Sequence, residues 1–510
     1  MVKLNWKNKI QPDLIKLIKQ ERKPLKTAEI IKSPINDKFK TNRSFLEQLS
    51  NDDWYNMLIW GDNISVMSSL LKEFTGKINL IYIDPPFATG GDFNLKIHIG
   101  EENNSKKNTS INQKAYSDNW REGLNYYLNF MYERLFLMRE LLSDTGSIYV
   151  HLDWHVGHYI KVIMDELFGA NNFRNEIIWS YPAASVKTRN FFIRSFDVIL
   201  YYTKSERYVF NDDPNIYMEY SARVKNALKK DEKGIFYYRG GSHEGKKLSR
   251  KVYVTQDGIF PRDVWNDIPY IRANTVEYQG FSTQKPELLL KRIILASSNE
   301  YDIVADFFCG SGTALTTAEK LNRRWIGCEI TKQAIYMVKK RLLDIYNSND
   351  IINKKKKFNR ICLPFKLLHC KSSSDELTIP AEFLRKDIQK LTDLEELENP
   401  QFKIDIKVQG NEVIIELKHY NIPYLALISE NVKERVKHWT SWIDSWSIDF
   451  DYNNDIFNIM WISYRMPKKR DLKLITGPHH YKYSGTYVIS VKVIDILGTE
   501  TIQNYEIDIV

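Results

Sequence analysis

Ile78-Asn79-Leu80-Ile81-Tyr82-Ile83 runs directly into Asp84-Pro85-Pro86-Phe87, and far down the chain Ile303-Val304-Ala305-Asp306 runs into Phe307-Phe308-Cys309-Gly310-Ser311-Gly312. Each apolar run has the length of a parallel strand buried on both faces, and each ends in a sharp turn. Open α/β sheets gather ligands at such carboxyl ends. The proline turn comes first and the glycine turn second, the reverse of the order most cofactor-binding sheets use.

Outward from these strands the α/β rhythm continues. A strand at 57–60 leads through Gly61-Asp62-Asn63 into a helix at 66–74 that feeds the Asp84 strand. Leu124, Leu128, Met131, Leu135, Met138 and Leu142 recur three and four apart, as on one face of a helix. Asp144-Thr145-Gly146 stops that helix before a strand at 147–152, and a helix at 156–168 and a strand at 176–179 come next. The stretch 92–119 is polar, with 101–112 nearly free of apolar residues, and reads as a mobile loop or lid hung from the proline turn. The expected fold is therefore α/β: a doubly wound, mostly parallel, Rossmann-like sheet in circularly reordered form.

The expected domain organisation tracks the same shifts in pattern. Residues 1–50, polar and Lys-rich, form an N-terminal arm, and 51–180 form the first half of the core. Residues 181–276 break the rhythm as an insertion, and 277–350 complete the core. Lys354 to Lys357 mark a linker. Residues 360–510 form an accessory domain that ends in a β-sandwich, because Tyr487-Val488-Ile489-Ser490-Val491-Lys492-Val493 alternates and 505–510 repeats the pattern.

Bulk properties narrow the class only mildly. The 510 residues are 43% hydrophobic and 27% charged, which is ordinary for a chain with a real core. A net charge of +9 favours a polyanionic partner. Cys309, Cys328, Cys362 and Cys370 lack C-x-x-C spacing, which suits a reduced, cytoplasmic setting and argues against a metal knuckle. No apolar run is long enough for a membrane span, so no membrane association is expected.

The two turns carry complementary chemistry. Asp84 and the Pro85 carbonyl are acceptors suited to the protons of an exocyclic amine, whose lone pair must be drawn out of ring conjugation before it can react. Pro85 and Pro86 stiffen the turn and add no competing donor. Phe87 offers a flat face for an extruded base. A plain Asp-Pro turn at a strand end is the competing reading. In the glycine turn, Leu315 stands where a dinucleotide fingerprint has its third glycine, which disfavours a pyrophosphate. Glu329, at the end of Trp325-Ile326-Gly327-Cys328, is spaced to hold two ribose hydroxyls. S-adenosylmethionine meets these requirements, and with the proline turn the pair points to methylation of an amino group on a DNA base.

From about Trp54 to Leu343 the chain resembles the β-class amino-methyltransferases of DNA, particularly modification subunits of type III restriction systems. The resemblance rests on Gly61-Asp62, Asp84 to Phe87, Gly146 to Leu152, Asn175 to Trp179, Thr283-Gln284-Lys285-Pro286-Glu287, Asp306 to Thr313 and Arg324 to Glu329. It implies that Asp84, Pro85, Pro86 and Phe87 hold the target base. It implies also that Asp62, Lys285, Asp306, Phe308, Gly310, Gly312 and Glu329 line the cofactor pocket, with target recognition lying between the motifs. Asp before the prolines is typical of members acting on adenine N6 in duplex DNA; cytosine N4 is the alternative. The chain departs from many relatives at Ala88, where they carry Asn, and this is expected to affect the lid. A restriction helicase-nuclease partner and a homodimer are further implications. A non-catalytic specificity subunit would need a damaged cofactor site, and the motifs show none.

Within 221–251 ten Lys or Arg face three acids, interleaved with Phe236, Tyr237 and Tyr238. Lys229, Lys230, Arg239, Lys246, Lys247 and Arg250 are the expected phosphate contacts. Three other patterns are set aside. His151, His155 and His158 are read as polar residues above the active face rather than a zinc site, with Asp153 as an N-cap. Glu416-Leu417-Lys418 with Asp405 is a short chance match to a nuclease signature, split by a hairpin turn at Gln409-Gly410-Asn411. The run Asp449, Asp451, Asn453, Asp455 lacks the glycine and glutamate of a calcium loop.

Overall fold

Ile78–Ile83 and Ile303–Asp306 lie side by side as parallel strands in the middle of an 11-stranded sheet in the computed structural model of the chain. The structure describes residues 3–10, 13–32, 54–100, 110–120, 123–182, 190–243, 246–255, 257–370, 401–422, 425 and 428–510. From one edge the sheet runs Val264–Trp265, Phe173–Ser180, Phe196–Thr203, Leu142–Leu152 and Ile78–Ile83. It continues through Ile303–Asp306, Arg324–Glu329, Asn56–Trp60, Phe365–His369, Lys26–Ile31 and Phe457–Ile459. Phe196–Thr203 is antiparallel to both neighbours, and Lys26–Ile31 to Phe365–His369; the other pairings are parallel.

Helices cover both faces, as strands apolar on both sides demand. Asn63–Phe74, Leu124–Leu141 and Gly157–Phe168 bury Leu70, Leu135 and Ile163 in one core. Glu287–Ser297, Thr313–Lys320 and Lys332–Leu343 bury Ile293, Leu315 and Val338 in the other. Leu315, standing where a third glycine was missed, finds its space against the neighbouring strand. A Cβ added to Gly327 would lie 2.3 Å from Leu315 Cδ1.

Three expectations need correction. The supposed N-terminal arm contributes Lys26–Ile31 to the large sheet, while 33–50 lie outside the described residues. Its polar appearance misled because Glu29 is fully buried yet neutralised, with Lys339 Nζ at 3.0 Å and Lys492 Nζ at 2.8 Å. Burial raises the Glu29 pKa, but those two lysines outweigh it and hold the carboxylate below its usual range. Second, Lys354 to Lys357 do not divide the core from the strand at 365–369. Phe365–His369 pairs with Asn56–Trp60 and extends the same sheet. Third, the polar stretch after the proline turn is a hairpin, Asp92–His98 with Ser110–Ser117; 101–109 lie outside the described residues. Leu95 and Ile97 pack inward from it, beside Phe281 and Met337.

Residues 401–510 supply two further antiparallel sheets. Gln401–Gln409, Glu412–Asn421 and His479–His480 form one, and Trp461–Tyr464, Ile443–Asp449, Gly485–Asp495 and Glu500–Ile509 the other. Val413, Ile415, Trp446, Ile489 and Val491 share one core between them. This unit grips the hairpin, where Arg470 donates to the carbonyls of His98 at 2.7 Å and Gly100 at 3.0 Å. It also grips the helix Lys332–Leu343, where Lys340 pairs with Asp444 at 2.6 Å.

Candidate active site

The carboxyl ends of the two central strands open into one cleft. Asp62, Asp84, Pro86, Lys285, Asp306, Phe308, Gly310 and Glu329 line it. Pro85, Phe87 and Gly312 are not among the lining residues. Gly312 serves packing instead: its φ is +73°, and a Cβ there would sit 2.8 Å from Val338. It starts the helix Thr313–Lys320 and lets that helix meet its neighbour.

Asp84 lines the cleft at the end of its strand. Its Oδ2 accepts from Lys285 Nζ at 2.6 Å. Its Oδ1 is buried and, among the described residues, meets no donor. A buried carboxylate oxygen without a partner costs free energy unless a ligand supplies the proton. Lys285 therefore belongs to the Asp84 end of the cleft rather than to the cofactor alone, and its Nζ lies 5.4 Å from the Phe87 ring centroid.

The turn after Asp84 is held by a residue that sequence reading missed. Asp118 is fully buried. Its carboxylate accepts from the amides of Phe87 at 3.2 Å, Ala88 at 2.8 Å and Thr89 at 2.8 Å, from Thr89 Oγ1 at 2.8 Å and from Trp120 Nε1 at 2.9 Å. Ala88 has φ +56°, a left-handed conformation that Asn adopts more easily than Ala. Alanine at this position thus costs backbone strain, and the Asp118 hydrogen bonds hold the turn against it. No spacing rule singles out Asp118, because its partners are backbone amides.

Against Phe87 lies a histidine that sequence reading places above the active face. The His151 ring stacks against Phe87 at 6.1 Å and 23°. His151 is fully buried, with Nδ1 2.9 Å from Tyr82 Oη and Nε2 3.2 Å from Asp197 Oδ2. Burial and the Asp84 charge push the Tyr82 pKa far up, so Tyr82 stays a neutral hydroxyl hydrogen-bonded to the His151 ring. Burial raises the Asp197 pKa, but His151, Lys285 and Tyr181 together outweigh it and hold the carboxylate below its usual range. His151 is thus buried under the active-site turn, not above the face. Asp153 accepts from the His155 amide and pairs with the His155 ring at 2.6 Å instead of capping the next helix, whose N-cap is Val156.

The glycine side of the cleft is built from backbone donors. Glu329 Oε2 accepts from Gly310 N at 2.9 Å, and Oε1 accepts from Ile330 N and Thr331 N at 3.0 Å each. Burial nevertheless raises the Glu329 pKa. Asp306 Oδ1 accepts from Phe308 N at 3.0 Å, and burial, with Asp84 and Glu329 nearby, pushes its pKa well up. Asp62 caps the helix Asn63–Phe74 and pairs with Arg134 at 2.9 Å. The carboxyl groups of Asp62, Asp84, Asp306 and Glu329 thus line the cleft, an arrangement that disfavours a pyrophosphate.

The expected phosphate contacts lie on a separate three-stranded sheet of Lys229–Asp231, Gly234–His243 and Lys246–Val254. Lys229, Lys230, Arg239 and Arg250 are exposed there. Arg239 and Arg250 stand directly opposite each other, a like-charge pairing that a polyanion would relieve. Lys246 and Lys247 hold register positions opposite His243 and Ser242, and their side chains lie outside the description. Among the described residues no helix is long and apolar enough to cross a membrane.

A family profile described as DNA methylase matches residues 78–340. The chain is 32% identical to the type II methyltransferase M.EcaI of Enterobacter cloacae, over 56% of this chain and 69% of that one. It is 29% identical to the DNA adenine methyltransferase YhdJ of Escherichia coli strain K12, over 59% and 87%. It is 26% identical to the type III restriction-modification enzyme StyLTI Mod subunit of Salmonella typhimurium strain LT2, over 61% and 56%.

Proposed function

Because the chain belongs to the DNA methylase family, we propose that it methylates N6 of an adenine turned out of duplex DNA, with Asp84 as acceptor for the amine. The observation that carries this reading is the bare, buried Oδ1 of Asp84 beside an Oδ2 pinned by Lys285. S-adenosylmethionine supplies an electrophilic methyl group when bound. Glu329 would hold its ribose hydroxyls, and Asp62, Phe308 and the Gly310 turn would line its remaining contacts.

The chain's own residues do the rest. Asp84 Oδ1 accepts a hydrogen bond from one amino N–H and the Pro85 carbonyl from the other, turning the nitrogen lone pair out of the ring toward the methyl donor. The one proton released on N–methyl bond formation leaves through the Asp84 carboxylate. Lys285 holds Asp84 in the acceptor orientation. Phe87, backed by His151, stacks on the base. Positioning and proton acceptance suffice for such a transfer.

The basic sheet at 229–254 would carry phosphate contacts. The likeness to a Mod subunit supports a restriction helicase-nuclease partner for this chain, with a homodimer as the accompanying assembly, and residues 401–510, which lie beyond the family match, are the proposed docking unit.

The test is transfer of tritiated methyl from S-adenosylmethionine to unmodified genomic DNA, followed by nucleoside analysis. Label in N6-methyladenosine is expected, and Asp84→Ala should abolish transfer while leaving cofactor affinity within about threefold, since Asp84 faces the base. Label in N4-methylcytosine would overturn the choice of base, and full activity in Asp84→Ala would overturn the role of the turn.

A further inference from the structure

Three consecutive large apolar side chains stand in solvent at Phe191, Phe192 and Ile193, with 57%, 99% and 43% of their surfaces exposed. Water disfavours such a cluster, and a soluble chain that keeps one uses it for contact. Its place in the fold says with what. Ile78–Ile83, Leu142–Leu152 and Phe173–Ser180 run in the same direction, so their carboxyl ends share one edge of the sheet. This aromatic cluster lies a few residues before Phe196–Thr203, on the connection that leaves Phe173–Ser180, and so at that same edge.

The base of the cluster is tied to the active-site turn. Tyr181 N donates to the Ser195 carbonyl at 2.9 Å, and Tyr181 Oη donates to Asp197 Oδ1 at 2.9 Å. Asp197 bonds His151, on which Phe87 stacks. Arg194 lies 3.9 Å over the Trp154 ring, which pins a positive charge beside the cluster. The cluster is thus anchored within a few residues of the groups packed against Phe87, while its apolar side chains point to bulk solvent.

We propose that Phe192, with Phe191 and Ile193 beside it, enters the base stack of duplex DNA and fills the gap left by the target base. The proposal rests on the methyltransfer reading above. A base that leaves the helix exposes two stacking faces and strands its pairing partner; a flat aromatic ring restores the stacking and blocks the base's return. Arg194 would meet the phosphates flanking the gap. Arg194 sets a positive charge against this apolar cluster, a combination that suits the phosphates and bases of duplex DNA.

The test compares wild type with Phe192→Ala on two duplexes bearing the mapped target site. One has a normal pair at the target, and the other has an abasic site opposite it. Because Phe192 contributes nothing to the core, the variant is expected to fold and to bind S-adenosylmethionine normally. It should methylate the paired duplex about 10- to 100-fold more slowly, because stacking no longer offsets unpairing. It should recover to within about threefold of wild type on the abasic duplex, where little unpairing remains. Phe192→Trp should keep activity on both. Unchanged rates on the paired duplex, or an equal loss on both, overturn the proposal; unchanged rates with lost self-association would assign the cluster to a protein contact instead. Absence of any label in the genomic transfer assay, from which the site is mapped, would overturn the methyltransfer reading itself.

Discussion

Replacing Asp118 by Asn keeps shape and volume while removing the charge that organises the catalytic turn. Oδ1 now accepts from Ala88 N and Trp120 Nε1, and Oδ2 from Phe87 N, Thr89 N and Thr89 Oγ1. An Asn side chain leaves one oxygen as acceptor and turns an amide donor toward the other set of donors, so at least two hydrogen bonds are lost in either orientation. Bonds to a buried charge contribute about 1.5–3 kcal/mol each, which sets the loss at about 3–6 kcal/mol. At 1.36 kcal/mol per tenfold, the ordered turn should become about 10²- to 10⁴-fold less populated relative to its disordered forms. The loss stays local, because the Phe87 to Thr89 turn lies at the edge of the core. Single-turnover methyl transfer should therefore fall by about two orders of magnitude or more, while calorimetry shows unchanged S-adenosylmethionine affinity. Retention of more than half the wild-type rate would refute the reasoning. So would a matching loss of cofactor affinity, since that would place Asp118 in the wrong half of the cleft.

Three further outcomes are expected. Ala88→Asn should raise thermal stability by about 0.5–1 kcal/mol, because Asn tolerates the left-handed backbone at φ +56°; a lower melting temperature would show that the turn demands a side chain no larger than Ala. Gly327→Ala should destabilise by about 1–3 kcal/mol through overlap with Leu315, and Leu315→Ala in the same chain should recover part of the loss in urea titrations. His98 lies where the hairpin meets Arg470, and burial, together with that arginine's charge, lowers its pKa from 6.5 to about 4. The folded state resists protonation there, so this contribution is present above pH 6.5 and lost as pH falls through about 4. His98→Gln should flatten the fall in melting temperature across that window, and an unchanged slope would remove His98 from the account.

The cleft was legible in the sequence wherever an individual side chain performs a task that only its chemical type can perform. Asp84 at a strand end and Glu329 at the end of another are acids at carboxyl ends of apolar runs, and periodicity alone places both on the same edge of the sheet. Asp118 was not legible, because a carboxylate that caps backbone amides leaves no mark on spacing. Neither was the strand at Lys26–Ile31, because the Lys-rich composition of residues 1–50 argued for an arm, and its buried Glu29 is neutralised by Lys339 and Lys492 from two distant segments.

What the sequence by itself determined is the α/β character of the core, the adjacency of chemistry at its two decisive turns and the family to which they belong. These depend on local patterns of burial and on residue types at strand ends. What only the tertiary structure decided is how the pieces close on one another. The strands Lys26–Ile31, Phe365–His369 and Phe457–Ile459 join the central sheet; the supposed lid is a hairpin gripped by Arg470; and Gly312 serves a helix contact with Val338 rather than the cleft. Each of these depends on partners far apart in the chain or on a few tenths of an ångström of space. No one-dimensional pattern records either.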